Sequence, residues 1–563
     1  MNREQMAANM PKTLLWCCLL LTGQLCFAEN IPNAGQLLQE QKNLQLPETK
    51  NAALPAAPVV PAAIEGQQQT VMVQKFVIKG NSIFSTATLH QLIASYEAKN
   101  LSFNELQQAA DQISKYYADR GYSYSYAFLP AQNLNQGQVT IQVLEAVLNG
   151  VQIQNNTNTQ PWLIQSIIEP LEPLQIFSDR QLEEIASRLD LLKGVKSSFA
   201  FTAGQAKNET VLKVDLEPTQ KYQAYVGADN MGGKYTGEVR GTGGVRLNSL
   251  LGLGDQLSID ALSSGKHMNY GKIGYTAQVY GLGTQLGGSY SYLTYELGKE
   301  LKNLGYKGSA KEASFWIKQS VVQRLREQTT LTLAYTNRQL EDDVMVAESL
   351  NHRKMDSLQL GLTHMFLDES WGIGMNQLAA TATFGQLHIK NADVKAIDAL
   401  TRKTDGDYLS ILVKGSRLQK ITGSNQLYIS AEGFYSPDNL DSAEAYYVGG
   451  PSFMRGYKSS VFSASQGIAS SVEFRQSLWS DALNQLKGTL FFDMVKLKLN
   501  AQTWEGSTEK NTASLRSAGA GLTWDNRFAG SFQALAGFAL GDTPVQLSQR
   551  DDHQFWLNWQ KTF

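Results

Sequence analysis

The sequence predicts a transmembrane antiparallel β-barrel of about sixteen strands, preceded by two small α+β units and a tethered N-terminal helix. Three observations predict it. From Lys221 to Phe563, segments of roughly ten residues alternate in polarity and are broken by Gly, Asn, Asp and Ser, as in strands with one face to lipid and one to a lumen. The chain opens on an export signal. No later stretch holds about 18 consecutive apolar residues, so no transmembrane helix is expected.

The signal is read from Arg3 and Lys12, the apolar run Leu14 to Leu21, and the small-x-small site Cys26-Phe27-Ala28. It is assigned to residues 1–28. Leu25, where a lipoprotein needs a small residue, argues against lipidation of Cys26. The 3 cysteines, Cys17, Cys18 and Cys26, all precede the expected cleavage point, so the exported chain carries no disulfide chemistry. The net charge of −2 gives no footprint for nucleic acid.

Residues 29–70 read as a helix on a leash. Leu37, Leu38 and Leu44 among glutamines suit one amphipathic helix within Asn33 to Leu46. Pro55, Pro58 and Pro61 between Ala52 and Ala63 disfavour helix and sheet, and give an extended tether.

Residues 71–146 and 147–218 read as two units of the same pattern. In the first, Val71 to Ile78 alternates like a strand, and Thr86 to Ala98 and Phe103 to Arg120 have helical periodicity. Ser102 caps the second helix with Glu105 three residues on, and Gly121 ends it. Tyr124 to Phe128 and Val139 to Leu144 are strands. In the second unit, Leu148 to Ile153 is a strand, followed by helices at Pro161 to Ile168 and Ser178 to Leu191. Gln181 completes the Ser178 cap, and Val195 to Phe201 and Thr210 to Leu216 close the unit.

Residues 219–563 are assigned to the barrel. Its segments start near Tyr222, Thr236, Gln256, Tyr270, Thr284, Ser314, Thr329, Lys354, Asn376, Tyr408, Asn425, Gly467, Leu486, Ala513, Ser531 and Gln554. An even count suits a single-chain bacterial barrel. Tyr290, Tyr292 and Tyr295, and Trp556 with Trp559, fall near segment ends and are expected in interfacial aromatic girdles. Phe555, Leu557, Trp559 and Phe563 share one face of the final strand.

A long connection, residues 436–465, separates the eleventh and twelfth segments and contains Gly449-Gly450-Pro451-Ser452-Phe453-Met454-Arg455-Gly456-Tyr457. Folded into the lumen, it would remove Arg455 from bulk water, and a buried guanidinium needs a carboxylate. Asp493, inward-facing on the thirteenth segment, is the expected partner; Gly456 would allow a tight turn, and Tyr457 would pack on the wall. Glu473 on the twelfth is a weaker second carboxylate, with an ordinary lumen charge as the plainer reading. The 6 histidines are scattered without metal-ligand spacing, and neither a nucleophile elbow nor a phosphate-binding glycine loop is present, so neither cofactor nor catalysis is expected.

Met454-Arg455-Gly456-Tyr457 resembles the (V/I)-R-G-(Y/F) loop tip of the superfamily that holds BamA and the two-partner-secretion transporters (TpsB; the ShlB/FhaC/HecB haemolysin secretion/activation family). Phe491-Phe492-Asp493-Met494-Val495 resembles its F-x-D-x-G strand at Phe491 and Asp493, with Val495 replacing the glycine. Two α+β units are similar to the two POTRA domains of TpsB transporters, and the leashed helix to their plug. The resemblance implies an outer-membrane transporter with its POTRA domains in the periplasm. It would pass one large exoprotein, of adhesin, haemolysin or toxin class, unfolded and without ATP to the cell surface. Trp559 and Phe563 would form the C-terminal signal read by the barrel-assembly machinery. The implied partners are that exoprotein, outer-membrane lipid and the assembly machinery, with a monomeric pore. The alternative is a factor that inserts other barrels.

Overall fold

The computed structural model describes residues 31–41, 70–133, 137–171, 175–203, 209–507, 510–547 and 550–563. The export signal, residues 42–46 and the proline-bearing leash lie outside the described residues.

In the first unit, helices Thr86–Ile93 and Phe103–Ala118 bury Leu89, Ile93, Leu106, Ile113 and Tyr117 against Phe76, Val139 and Ile141 of the sheet. The capping box is formed: Ser102 accepts from the Glu105 N–H, and the Glu105 carboxylate accepts from the Ser102 N–H at 2.7 Å. Gly121, at φ +83°, ends the helix in a conformation that favours glycine. The strand expected over Val71 to Ile78 is divided. Thr70–Val73 pairs antiparallel with Lys99–Ser102, whereas Lys75–Lys79 pairs parallel with Gln138–Leu144. The N–H groups of Gln74 and Lys75 both turn to the Gly137 carbonyl, at 2.6 and 3.2 Å, which swings the chain from one ladder to the other. Glu145 ties the unit together, accepting from Ser82 and Ile83 N–H and from Tyr117 Oη. Burial alone would raise its pKa; the bonds from Ser82, Tyr117 and Ile83 outweigh that and lower it.

The second unit has helices Pro161–Ile168 and Asp179–Leu189 on a four-stranded sheet. One of its strands, Gln175–Ile176, is only 2 residues long and leaves no readable alternation. The unit docks on the barrel's turns. Asn158 Nδ2 donates to the Ser249 carbonyl at 2.6 Å, Gln160 N–H to the Gly252 carbonyl at 2.9 Å, and Arg324 Nε to Glu184 at 3.2 Å. Gly281 lies where any side chain would meet the backbone of Ser166.

The barrel is closed and antiparallel, its first strand, Tyr222–Asp229, pairing with its last, His553–Thr562. It has sixteen strands, and fourteen begin within four residues of their expected starts. The sixth begins at Tyr306 rather than Ser314, and the eighth at Ser349 rather than Lys354. These strands, of 18 and 20 residues, are longer than the roughly 9–11 needed to cross a bilayer. Beyond the membrane neither face needs to be apolar, so Lys307, Ser309 and Lys311 hide the alternation. A helix, Ala392–Leu400, follows the ninth strand without having been expected.

Parity corrects two girdle assignments. Tyr290 and Tyr292 face outward, but Tyr295 is odd-numbered on the same strand and is buried in the lumen. Trp556 likewise turns inward while Phe555 and Leu557 face lipid.

Candidate functional site

The long connection folds into the lumen as a hairpin, Tyr446–Val448 pairing with Phe462–Ala464. Its tip closes on itself through Gly450 N–H to Tyr457 O at 3.1 Å and Tyr457 N–H to Met454 O at 3.0 Å. Met454 takes a positive φ of 58° and is fully buried with Tyr457, Leu497, Leu515 and Ala539. Val495, at the position where the family motif has glycine, belongs to the same apolar cluster, so the larger residue fills the floor beneath the tip.

Arg455 is placed against both candidate carboxylates. Its Nε and Nη2 donate to Asp493 at 3.1 and 2.6 Å, and Nη1 donates to Glu473 at 2.6 Å. The Arg455 N–H also reaches Asp493, at 3.1 Å. Ser471 Oγ accepts from Nη2 at 2.9 Å, and the guanidinium lies 3.7 Å from the centre of the Phe491 ring. Asp493 is 0% exposed, Arg455 5% and Glu473 9%, so water does not screen this contact. Arg475 pairs with the other Glu473 oxygen at 2.8 Å, which balances two cations against two carboxylates. A buried ion pair persists when its remaining donors and lone pairs are satisfied. Asp493 meets that condition by also accepting from Ser471 and Ser517.

Two residues at this tip escape sequence reasoning. Trp556 Nε1 donates to the Arg455 carbonyl at 2.8 Å. Gly537 faces that same carbonyl, where any side chain would strike the loop backbone. Gly456 has the same role from the other side: a Cβ there would stand 2.6 Å from Phe538 C. The expected tight turn is present, closed by Tyr457 N–H on Met454 O, but the φ of Gly456 is not in the left-handed region, so it is the close approach that requires glycine here. A glycine in a strand marks such an approach in principle, but nothing in the local pattern names the partner. Gly537→Ala should displace the tip: secretion should fall at least tenfold, and the loop should become cleavable by protease added to intact cells. Unchanged secretion would show that the wall tolerates the added carbon.

A second cluster lies further round the wall. The helix Ala34–Glu40 sits in the lumen, with Ala34, Leu37 and Leu38 buried among Tyr295, Leu340 and Leu440. Its Ala34 N–H donates to Asp342 Oδ1 at 2.9 Å, and Ser460 of the loop donates to Glu40 at 2.6 Å. Arg353 bridges Asp342 of the wall to Asp441 of the loop, and Arg338 bridges Glu312 to Glu444. Gly35 admits the loop, since a Cβ there would stand 2.6 Å from Ser442 Oγ. Helix and loop therefore occupy the pore together. On the opposite side, by Thr381, Ser410, Lys414, Tyr428 and Ser470, a cavity of about 870 Å³ with mixed polar and apolar walls remains.

The C-terminal residues lie on the seam. Phe563 exchanges backbone hydrogen bonds with Ala224, and its side chain faces outward. Trp559 Nε1 donates to the Ala529 carbonyl at 2.9 Å.

Residues 208–524, more than half of the chain, match the family model for the haemolysin secretion/activation protein ShlB/FhaC/HecB, and residues 71–146 match that for the ShlB-type POTRA domain. The heme/hemopexin transporter protein HuxB of Haemophilus influenzae (strain 86-028NP) is 26% identical over 494 residues, 86% of each chain. The outer membrane transporter CdiB of Escherichia coli is 24% identical over 492 residues, 83% of this chain and 81% of that one. The solved structure of CdiB from Escherichia coli shares the fold, at TM-score 0.66 and 22% identity, over 91% of this chain and 94% of that one. The chain belongs to the haemolysin secretion/activation family ShlB/FhaC/HecB, and is an outer-membrane transporter of two-partner secretion.

Proposed function

We propose that the two periplasmic units, residues 71–146 and 147–218, capture the N-terminal secretion domain of one large exoprotein and pass it unfolded into the barrel. The helix at Ala34–Glu40 plugs the resting pore, and the Arg455 tip holds the loop in register while the chain passes. The observation that carries this reading is the joint occupancy of the lumen by helix and loop, each fixed through buried charge. Capture uses strand addition, in which an extended segment gains main-chain hydrogen bonds at a sheet edge. Val195–Ala203 forms one edge of the second unit's sheet and Tyr126–Phe128 one edge of the first unit's.

The protein acts by conduction alone, without catalysis or cofactor, as a monomer. Trp559 and Phe563 present the assembly signal. The cargo is an exported protein of the adhesin, haemolysin, toxin or haem-scavenging class. HuxB bears the name of a heme/hemopexin transporter, which favours the last of these. Purified residues 71–217 should bind the N-terminal domain of the exported partner in calorimetry. An absence of binding would refute capture by these units.

A further inference from the structure

We infer that the outer wall carries a binding site for the phosphorylated headgroup of an outer-leaflet glycolipid, formed by Lys496, Lys498 and Arg516. All three are on adjacent strands, Asn484–Lys498 and Thr512–Asn526, at the ends remote from the docked periplasmic unit. That end of the barrel is the cell-surface end.

Side-chain parity sets their direction. On the first strand Phe491, Asp493, Val495 and Leu497 are buried in the lumen, so Lys496 and Lys498 point outward with Leu490, Phe492 and Met494. On the second, Leu515 and Ser517 are buried and Arg516 points outward. Register brings the three together. Met494 stands opposite Arg516, Lys496 opposite Ser514, and Lys498 opposite Thr512. Arg516 is thus the diagonal neighbour of Lys496, at about 7–8 Å between backbones, and Lys498 lies two residues further along.

The surroundings suit a lipid anion. None of the three cations forms an ion pair among the described residues. Two outward lysines on the long strands elsewhere do, Lys307 with Asp343 at 3.6 Å and Lys354 with Asp356 at 3.1 Å. The outward partners of the three cations on the adjacent strands include Gln466, Thr512 and Ser514, neutral hydrogen-bond donors, and in these registers none of the three stands opposite a carboxylate. Ile468 stands opposite Lys496, Met494 and Leu540 flank Arg516, and Phe538 comes below, all exposed to the bilayer. The cations therefore stand at the upper edge of the apolar band, where lipid phosphates lie and long basic side chains extend to meet them. An enclosed site for free phosphate would lack this apolar floor.

The test is native mass spectrometry of the full chain in detergent, supplied with diphosphoryl lipid A or its dephosphorylated analogue. The wild type should retain the diphosphoryl lipid, and K496Q/K498Q/R516Q should retain at least tenfold less, with K307Q/K354Q unchanged. R516Q alone should give an intermediate loss, and heat-modifiable gel mobility should confirm that each variant is folded. Equal retention by the folded triple variant, or equal retention of the dephosphorylated lipid, would overturn the site. Displacement of the lipid by millimolar inorganic phosphate would overturn its assignment to a lipid.

Discussion

Arg455→Ala should reduce exoprotein release to background while the barrel still inserts and keeps its heat-modifiable mobility. The substitution leaves Asp493 and half of the Glu473 carboxylate buried without their cation. Removing one partner of a buried pair costs about 3–5 kcal/mol, enough to shift the tip's docking equilibrium by more than a hundredfold. The sixteen-strand ladder makes no use of Arg455, so the barrel persists. Arg455→Lys should fail almost as fully. An ammonium is a point charge, and cannot make the forked contact to Asp493 while also reaching Glu473. Charge reversal at Asp493 should reproduce the defect. Normal secretion by a correctly inserted Arg455→Ala protein would remove the loop tip from the mechanism.

Arg353→Ala should open the resting pore. Its guanidinium is shared by Asp342 of the wall and Asp441 of the loop, both buried, and without it these carboxylates face each other unneutralised. Repulsion acts on two occupants at once. Asp441 heads the loop arm, and Asp342 accepts from the first N–H of the lumen helix. The expected readout in planar bilayers is an open probability raised at least tenfold, approaching that of a chain lacking residues 33–46. Conductance unchanged in both variants would mean that helix and loop do not limit flow. An effect of the deletion alone would leave the plug intact as an idea and remove Arg353 from its support.

Much of this architecture can be read from the sequence because short-range rules govern it. Strand alternation is a property of neighbours two apart, and the caps at Ser102 and Ser178 involve residues three apart. The contact of Arg455 with Asp493 follows from charge, parity and the resemblance at Phe491 and Asp493 taken together. Features that depend on closure of the barrel do not show. Trp556 meets the loop only after the last strand has curved round to it, 101 residues along the chain. Arg338 and Arg353 look like ordinary lumen charges, because their partners Glu444 and Asp441 lie in a loop with no periodicity. The company of Tyr290 and Tyr292 suggests a girdle for Tyr295, whereas parity turns it inward.

The docked second unit carries a directional consequence. Its helices Pro161–Ile168 and Asp179–Leu189 touch the fourth and sixth barrel strands, and the lumen helix rests on the fifth, sixth and seventh. Platform and stopper thus share one azimuth, while the leftover cavity opens on the far flank. The helix packs on Tyr306, Leu340, Met355 and Leu387, toward the cell-surface ends of their strands, so a polypeptide rising from the platform would travel most of the lumen before reaching it. If the helix plugs the pore as proposed, only a chain already inside the barrel would displace it, and an idle transporter would need no separate trigger to stay shut.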